Sequence, residues 1–169
     1  MMTTKGTSAH VELSFSPNVD LVPIVRRFVA QFYPQLLRDS DAVSRLALAT
    51  HELLENAVKY SSDGGTHIRI DMDTSLTDPE YVSIKIATRN PAAANNRAII
   101  AERFKELEAA RDPLEYYQVL LRRAANRSEG SGLGLGRIRA EAEMTLTCAI
   151  EGDFVSVVAR AECKARPKS

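Results

Sequence analysis

His51-Glu52-Leu53-Leu54-Glu55-Asn56-Ala57-Val58-Lys59-Tyr60 carries two patterns at once. Leu53, Leu54 and Ala57 continue a stripe that begins at Val43, Leu46, Ala47 and Thr50, the apolar face of an amphipathic helix. Asp39, Ser40 or Asp41 can cap its start, and Ser61-Ser62-Asp63-Gly64-Gly65 ends it. Glu52 and Asn56 are four apart and stack on one side, with Lys59 further along the same edge and Ala49 as a small neighbour. A ligand can lie along that edge. A neutral amide oxygen suits a Mg²⁺ held mainly by phosphates, and a neighbouring carboxylate can accept a proton from an attacking hydroxyl. The same residues also read as a solvated helix face with a Glu55 to Lys59 ion pair, and the stretch alone leaves both readings open.

Outward from this helix, the amino-terminal side holds a short alternating strand, His10 to Phe15, stopped by Ser16-Pro17-Asn18. Leu21, Ile24, Val25, Phe28 and Phe32 then recur at helical spacing between Asp20 and Leu37. On the other side, Thr66 to Asp73 and Tyr81 to Thr88 alternate, so that Ile68, Ile70 and Met72 answer Val82, Ile84 and Ile86 as adjacent antiparallel strands. A helix-rich insert runs from Ala92 to Arg127, with Asp112-Pro113 as a stop and restart; it is a candidate lid. Leu133 to Ala142 returns to helix, and Met144 to Ile150 with Phe154 to Ala161 forms a final hairpin. This order predicts one α/β domain over 9–163, a two-layer sandwich with helices on one face of a mixed sheet, and a frayed tail over 164–169.

Glu129-Gly130-Ser131-Gly132-Leu133-Gly134-Leu135-Gly136 is a glycine-rich loop that runs into that last helix. Without Cβ atoms, Gly130, Gly132 and Gly134 let backbone N–H groups converge on an anion such as phosphate, and a mobile hinge is the competing reading. It is not a P-loop, because Arg137-Ile138 stands where Lys and Ser or Thr are required. Nor is it a dinucleotide-binding turn, because helix instead of strand precedes it. Arg122, Arg123 and Arg127 form a basic cluster just before the loop, whose default reading is a solvated helix face. His51 is placed away from the Glu52 edge, and His51 and His67 are read as surface or partly packed residues.

The chain has 169 residues, 44% of them hydrophobic, enough for a single core. Lys+Arg and Asp+Glu are equal at 22 each, so nothing global points to nucleic acid or an anionic membrane. No stretch has the length of a secretory or membrane-spanning segment, and a cytoplasmic protein is expected. Cys148 and Cys163 are too few and too far apart for a disulfide framework or a zinc site.

Taken together and in this order, HELLENAVKYS and GSGLGLGRI resemble the N-box and the second glycine box of the GHKL ATPases. The opening SFSPNVDLVPIVRRFV is similar to that of their anti-sigma-factor serine/threonine kinase branch, so the likeness spans Val11 to Ala161 apart from the insert. The resemblance implies a histidine-kinase-like ATPase fold that binds ATP with Mg²⁺ beneath a helical lid. It makes Glu52 the general base, Asn56 the magnesium ligand and Lys59 a phosphate neighbour, with Gly130, Ser131, Gly132, Leu133 and Gly134 around the phosphates. It further implies signal transduction through a protein partner, an anti-sigma antagonist or a sigma factor, and a homodimer. The chain departs from the family where relatives carry Asp-x-Gly-x-Gly with an adenine-binding aspartate. Here the residues are Thr88-Arg89-Asn90-Pro91-Ala92, and Thr88 offers a single hydroxyl. Three functions follow: an ATP-dependent kinase of a small regulatory protein; a non-catalytic domain that keeps the fold as a partner-binding switch or scaffold; and, ranked last, the catalytic half of a histidine kinase.

Overall fold

The computed structural model describes residues 8–62, 65–75, 77–126 and 132–166. The chain runs through β1 (Ser8–Phe15), α1 (Leu21–Phe32), a 3-10 turn (Tyr33–Gln35), α2 (Ser40–Tyr60), β2 (Thr66–Thr74), β3 (Tyr81–Pro91), α3 (Ala94–Ala109), α4 (Pro113–Ala125), α5 (Leu133–Ala140), β4 (Thr145–Glu151) and β5 (Phe154–Lys164). Five strands form one sheet in the order β1-β2-β3-β5-β4. Ile70 lies opposite Ile86 and Met72 opposite Ile84, as the alternation predicts.

Every ladder is antiparallel, which corrects the expected mixed sheet. The helical crossover from β3 returns the chain in the direction of β3 but leaves one slot vacant beside it, and the tight β4–β5 hairpin drops β5 into that slot. Strands of like direction are therefore never neighbours, so no parallel ladder forms.

The period of two divides the sheet into a buried and an open face. Ile68, Ile70, Met72, Val82, Ile84, Ile86, Val157 and Ala159 are buried beneath the helices, while His67, Arg69, Asp71, Lys85 and Arg89 stand on the other side. There His10 bonds Asp71 at 2.7 Å and Arg69 bonds the same carboxylate at 2.9 Å. Helix α2 supplies the facing layer through its Val43-Leu46-Ala47-Thr50-Leu53-Leu54-Ala57 stripe, all of it buried. Its cap is Asp39, whose side chain accepts from the Asp41 N–H at 2.9 Å, and Asp112 caps α4 in the same way with Pro113 at its first position.

Two expectations change at the margins of the core. In α1 the buried residues are Val22, Val25 and Val29, whereas Ile24, Phe28 and Phe32 are 58%, 42% and 36% exposed. Phe28 and Phe32 stack on each other on the outer face, their ring centroids 5.3 Å apart. At the other end, Lys164 belongs to β5, Ala165 bridges Leu37 and the Arg166 N–H donates to Leu36 O at 2.8 Å, so these residues are not frayed. Residues 167–169 lie outside the described residues. Among the described residues no helix is long and apolar enough to cross a membrane.

Candidate functional site

A cavity of about 410 Å³ opens between α2, the carboxyl-terminal end of β3, the helices α3 and α4 and the start of α5. Helix α2 sends Glu52, Asn56 and Lys59 to its wall, which the four-residue spacing predicted. Thr88 and Asn90 form its floor at 3% and 5% exposure, because they continue the inward alternation of Val82, Ile84 and Ile86 by two more steps. The Asn90 amide nitrogen donates to the Pro91 carbonyl at 3.0 Å. Asn96, Ile99 and Arg103 of α3 and Tyr117 of α4 complete the wall, so the insert does cover the pocket.

Gly132, Leu133 and Gly134 close the far end; Gly130 and Ser131 lie outside the described residues. Gly132 precedes α5 with φ +66°, a conformation glycine adopts freely, and a Cβ there would come within 3.0 Å of the Arg103 side chain. At Gly134 the constraint is close approach: a Cβ would sit 2.6 Å from Glu52 Oε2 and 3.4 Å from Asn56 Nδ2. The glycine motif and the Glu52/Asn56 edge therefore meet directly, although about eighty residues of chain separate them.

Glu52 is 8% exposed, and a carboxylate so buried needs a counter-charge. Arg137, on the second turn of α5, supplies it: Nη1 donates to Glu52 Oε1 at 3.0 Å, while Nε donates to Glu141 Oε2 at 2.9 Å. The two carboxylates hold the guanidinium above its ordinary value, Glu141 contributing most. Tyr117 joins this cluster; burial raises its phenol, and Glu141 adds to the effect.

His51, partly packed as expected, also lines the cavity although it lies off the Glu52 edge. It is one residue from Glu52, about 100° around the helix, and the cavity is wide enough to reach both. Its Nδ1 is buried with no hydrogen-bond partner among the described residues, and Nε2 lies 3.8 Å from Glu55. His67 sits instead on the open sheet face with Ser14 and Glu12. Lys59 lies beside the Tyr60 ring, 5.4 Å from its centroid. Arg123 pairs with Glu106 at 3.2 Å; Arg127 is outside the described residues. Cys148 and Cys163 are free and half-buried.

The two ends of the cavity differ in chemistry. Among the described residues no group of three or more His, Cys, Asp and Glu could hold a metal ion, but a cation carried by phosphates needs few protein ligands, and Asn56 offers an amide at the glycine end. The space that a Cβ at Gly134 would fill lies 2.6 Å from Glu52 Oε2, so the glycine there admits that carboxylate. At the floor, Thr88 and Asn90 present neutral groups able both to donate and to accept, in place of a carboxylate. Arg137, Arg103, Asn90 and Tyr117 were not among the expected site residues.

No protein-family model matches the sequence, and no curated protein matches it. The fold is similar to that of a chain in the crystal structure of the SiaB–SiaC complex from Pseudomonas aeruginosa. The TM-score is 0.59 over 90% of this chain and 89% of that one, at 9% sequence identity. A likeness at that identity extends to the fold.

Proposed function

We propose that this chain is a nucleotide-binding regulatory protein of the GHKL type, built like the anti-sigma-factor kinases, which changes its hold on a protein partner according to the nucleotide in the α2–α5 cavity. The observation that carries this reading is the convergence of Glu52, Asn56, Lys59 and the Gly132–Gly134 backbone on that cavity. The fold likeness to a chain solved in a two-protein complex supports a protein partner. In this reading Asn56 holds Mg²⁺ by its amide oxygen, Lys59 and the glycine backbone face phosphate, and the α3–α4 lid covers the ligand. The metal would neutralise phosphate charge. A kinase reaction would further require Glu52 to take the proton of an acceptor hydroxyl through Oε2, since Oε1 is engaged by Arg137.

That engagement, together with Thr88 in place of an acidic floor residue, favours a second reading in which the domain binds nucleotide weakly or not at all and works as a partner-binding switch or scaffold without catalysis. Loss of one charge-assisted hydrogen bond to the base weakens binding by about 1.5–3 kcal/mol, on the order of ten- to a hundredfold. Calorimetric titration with Mg-ATP and Mg-ADP, with Asn56→Ala as control, separates the two. Micromolar binding lost in the variant supports the first reading. A folded protein that gives no heat at millimolar nucleotide leaves the second.

A further inference from the structure

We infer that Arg137 is a phosphate-recognising residue of this site, its guanidinium fixed by Glu141 and Glu52 so that its remaining donors meet the terminal phosphate of a polyphosphate ligand. This rests on the proposed nucleotide reading and adds a residue and a specificity to it. A guanidinium has five N–H donors in a rigid fork. Nε is committed to Glu141 and one Nη1 hydrogen to Glu52, which leaves about three donors without a partner among the described residues.

The glycines beside Arg137 hold its backbone in place. Gly134 abuts Glu52, and Gly136 abuts the buried Leu120, where a Cβ would come within 2.5 Å of Cδ1. Helix α5 is thereby locked between α2 and α4, and Arg137 follows at once on Gly136. Its side chain is 40% exposed and lines the cavity at the end where Gly132 and Gly134 lie. Arg137 makes a second ion pair with Glu141, four residues on along α5, besides that with Glu52. Glu141 pulls from the opposite side and holds the planar fork in one orientation, the arrangement that lowers the entropic cost of bidentate phosphate recognition.

The ligand class follows from the charges. Glu52 is already compensated by Arg137, so an anionic group adding to the free donors brings its own cation with it, and a magnesium polyphosphate meets that condition where a bare carboxylate does not. The terminal phosphate, the one furthest from the Thr88–Asn90 floor, is the group Arg137 would distinguish.

The test compares wild type, Arg137→Ala and Arg137→Lys for binding of Mg-ATP, Mg-ADP and Mg-tripolyphosphate by calorimetry, with thermal melts to establish that each variant is folded. Arg137→Ala is expected to weaken Mg-ATP and Mg-tripolyphosphate at least about tenfold, the loss of a charge-assisted hydrogen bond, and to bring Mg-ATP affinity down to that for Mg-ADP. Arg137→Lys, which keeps the charge without the fork, is expected to recover only part. A structural role alone would weaken the three ligands equally. Mg-tripolyphosphate binding that depends on Arg137, with Mg-ATP no tighter, would uphold the arginine and remove the nucleotide reading. Wild-type affinity in folded Arg137→Ala would overturn the assignment and leave the nucleotide reading standing. No binding of any of the three to folded wild type would overturn both.

Discussion

Gly134→Ala places a single methyl group at the junction of the two motifs, and its consequences can be worked out. Gly134 lies in the first turn of α5 and is not among the glycines with positive φ, so alanine is admissible by backbone and adds up to about 1 kcal/mol of helix preference. Against this, the new Cβ would be 2.6 Å from Glu52 Oε2. The carboxylate can rotate away, but Oε1 is held by Arg137 at 3.0 Å. Surrendering that bond costs about 1.5–3 kcal/mol when buried, and the lower end applies because Arg137 is 40% exposed. The net expectation is a destabilisation of about 0.5–1 kcal/mol in urea unfolding. Affinity for Mg-ATP falls at least about tenfold, since both Glu52 and Asn56 face the added methyl. In an Arg137→Ala background the ion pair is already gone, so the same substitution becomes neutral or stabilising, a coupling that a double-mutant cycle reads directly. Wild-type nucleotide affinity in Gly134→Ala would refute the placement of the glycine motif against the Glu52/Asn56 edge. Equal costs in both backgrounds would refute the role of the ion pair.

Further outcomes follow from packing and burial. Val29→Ala, at a fully buried position of α1, is expected to cost about 2 kcal/mol in chemical denaturation, while Phe28→Ser, at a position 42% exposed, stays within about 1 kcal/mol despite removing a larger side chain. Gly136→Ala is expected to destabilise by up to about 2 kcal/mol in the same assay. Its Cβ would lie 2.5 Å from Cδ1 of Leu120, a side chain only 1% exposed, and overpacking of about 1–3 kcal/mol exceeds the helix gain. Burial, with the nearby Glu108 charge, pushes the Cys148 thiol from 9.0 up to about 11. In a Cys163→Ser background it should react with iodoacetamide at pH 8 about tenfold more slowly than a free cysteine. Because the folded state holds that proton more tightly, its contribution to stability is full below pH 9 and is lost as pH rises toward 11.

What could be read from the sequence was periodicity, and what could not was the choice between equivalent partners. The α2 stripe and the β2–β3 register are legible because branched apolar residues repeat with one period and no competing face. In α1 two faces compete. Leu21, Val25, Phe28 and Phe32 satisfy the helical spacing as well as Val22, Val25, Val29 and Tyr33 do, and only tertiary packing, chiefly against α2, selects the compact valines. Strand order is a property of the crossover and hairpin, so the antiparallel pairing of β3 with β5 has no local signature. At the site, the shared helix edge of Glu52 and Asn56 was legible from their four-residue spacing, whereas a role for them and for the glycines came only from the family resemblance. Thr88 and Asn90 could have been assigned jointly to the floor by extending the β3 alternation past Ile86. The Arg137 to Glu52 contact joins residues 85 apart in sequence; the only local signal was the four-residue spacing of Arg137 and Glu141, which marks a helix face and nothing more.

We propose that the cavity between α2 and α5 takes a magnesium nucleotide. An amide NMR titration with Mg-ATP tests it most directly, since it reports location as well as binding. Saturable shifts concentrated in Glu52–Tyr60, Thr88–Asn90 and Gly132–Arg137, absent from Arg69 and Lys85 on the open sheet face, are the predicted result. Shifts confined to the open face, or none at millimolar Mg-ATP in the folded protein, would contradict it.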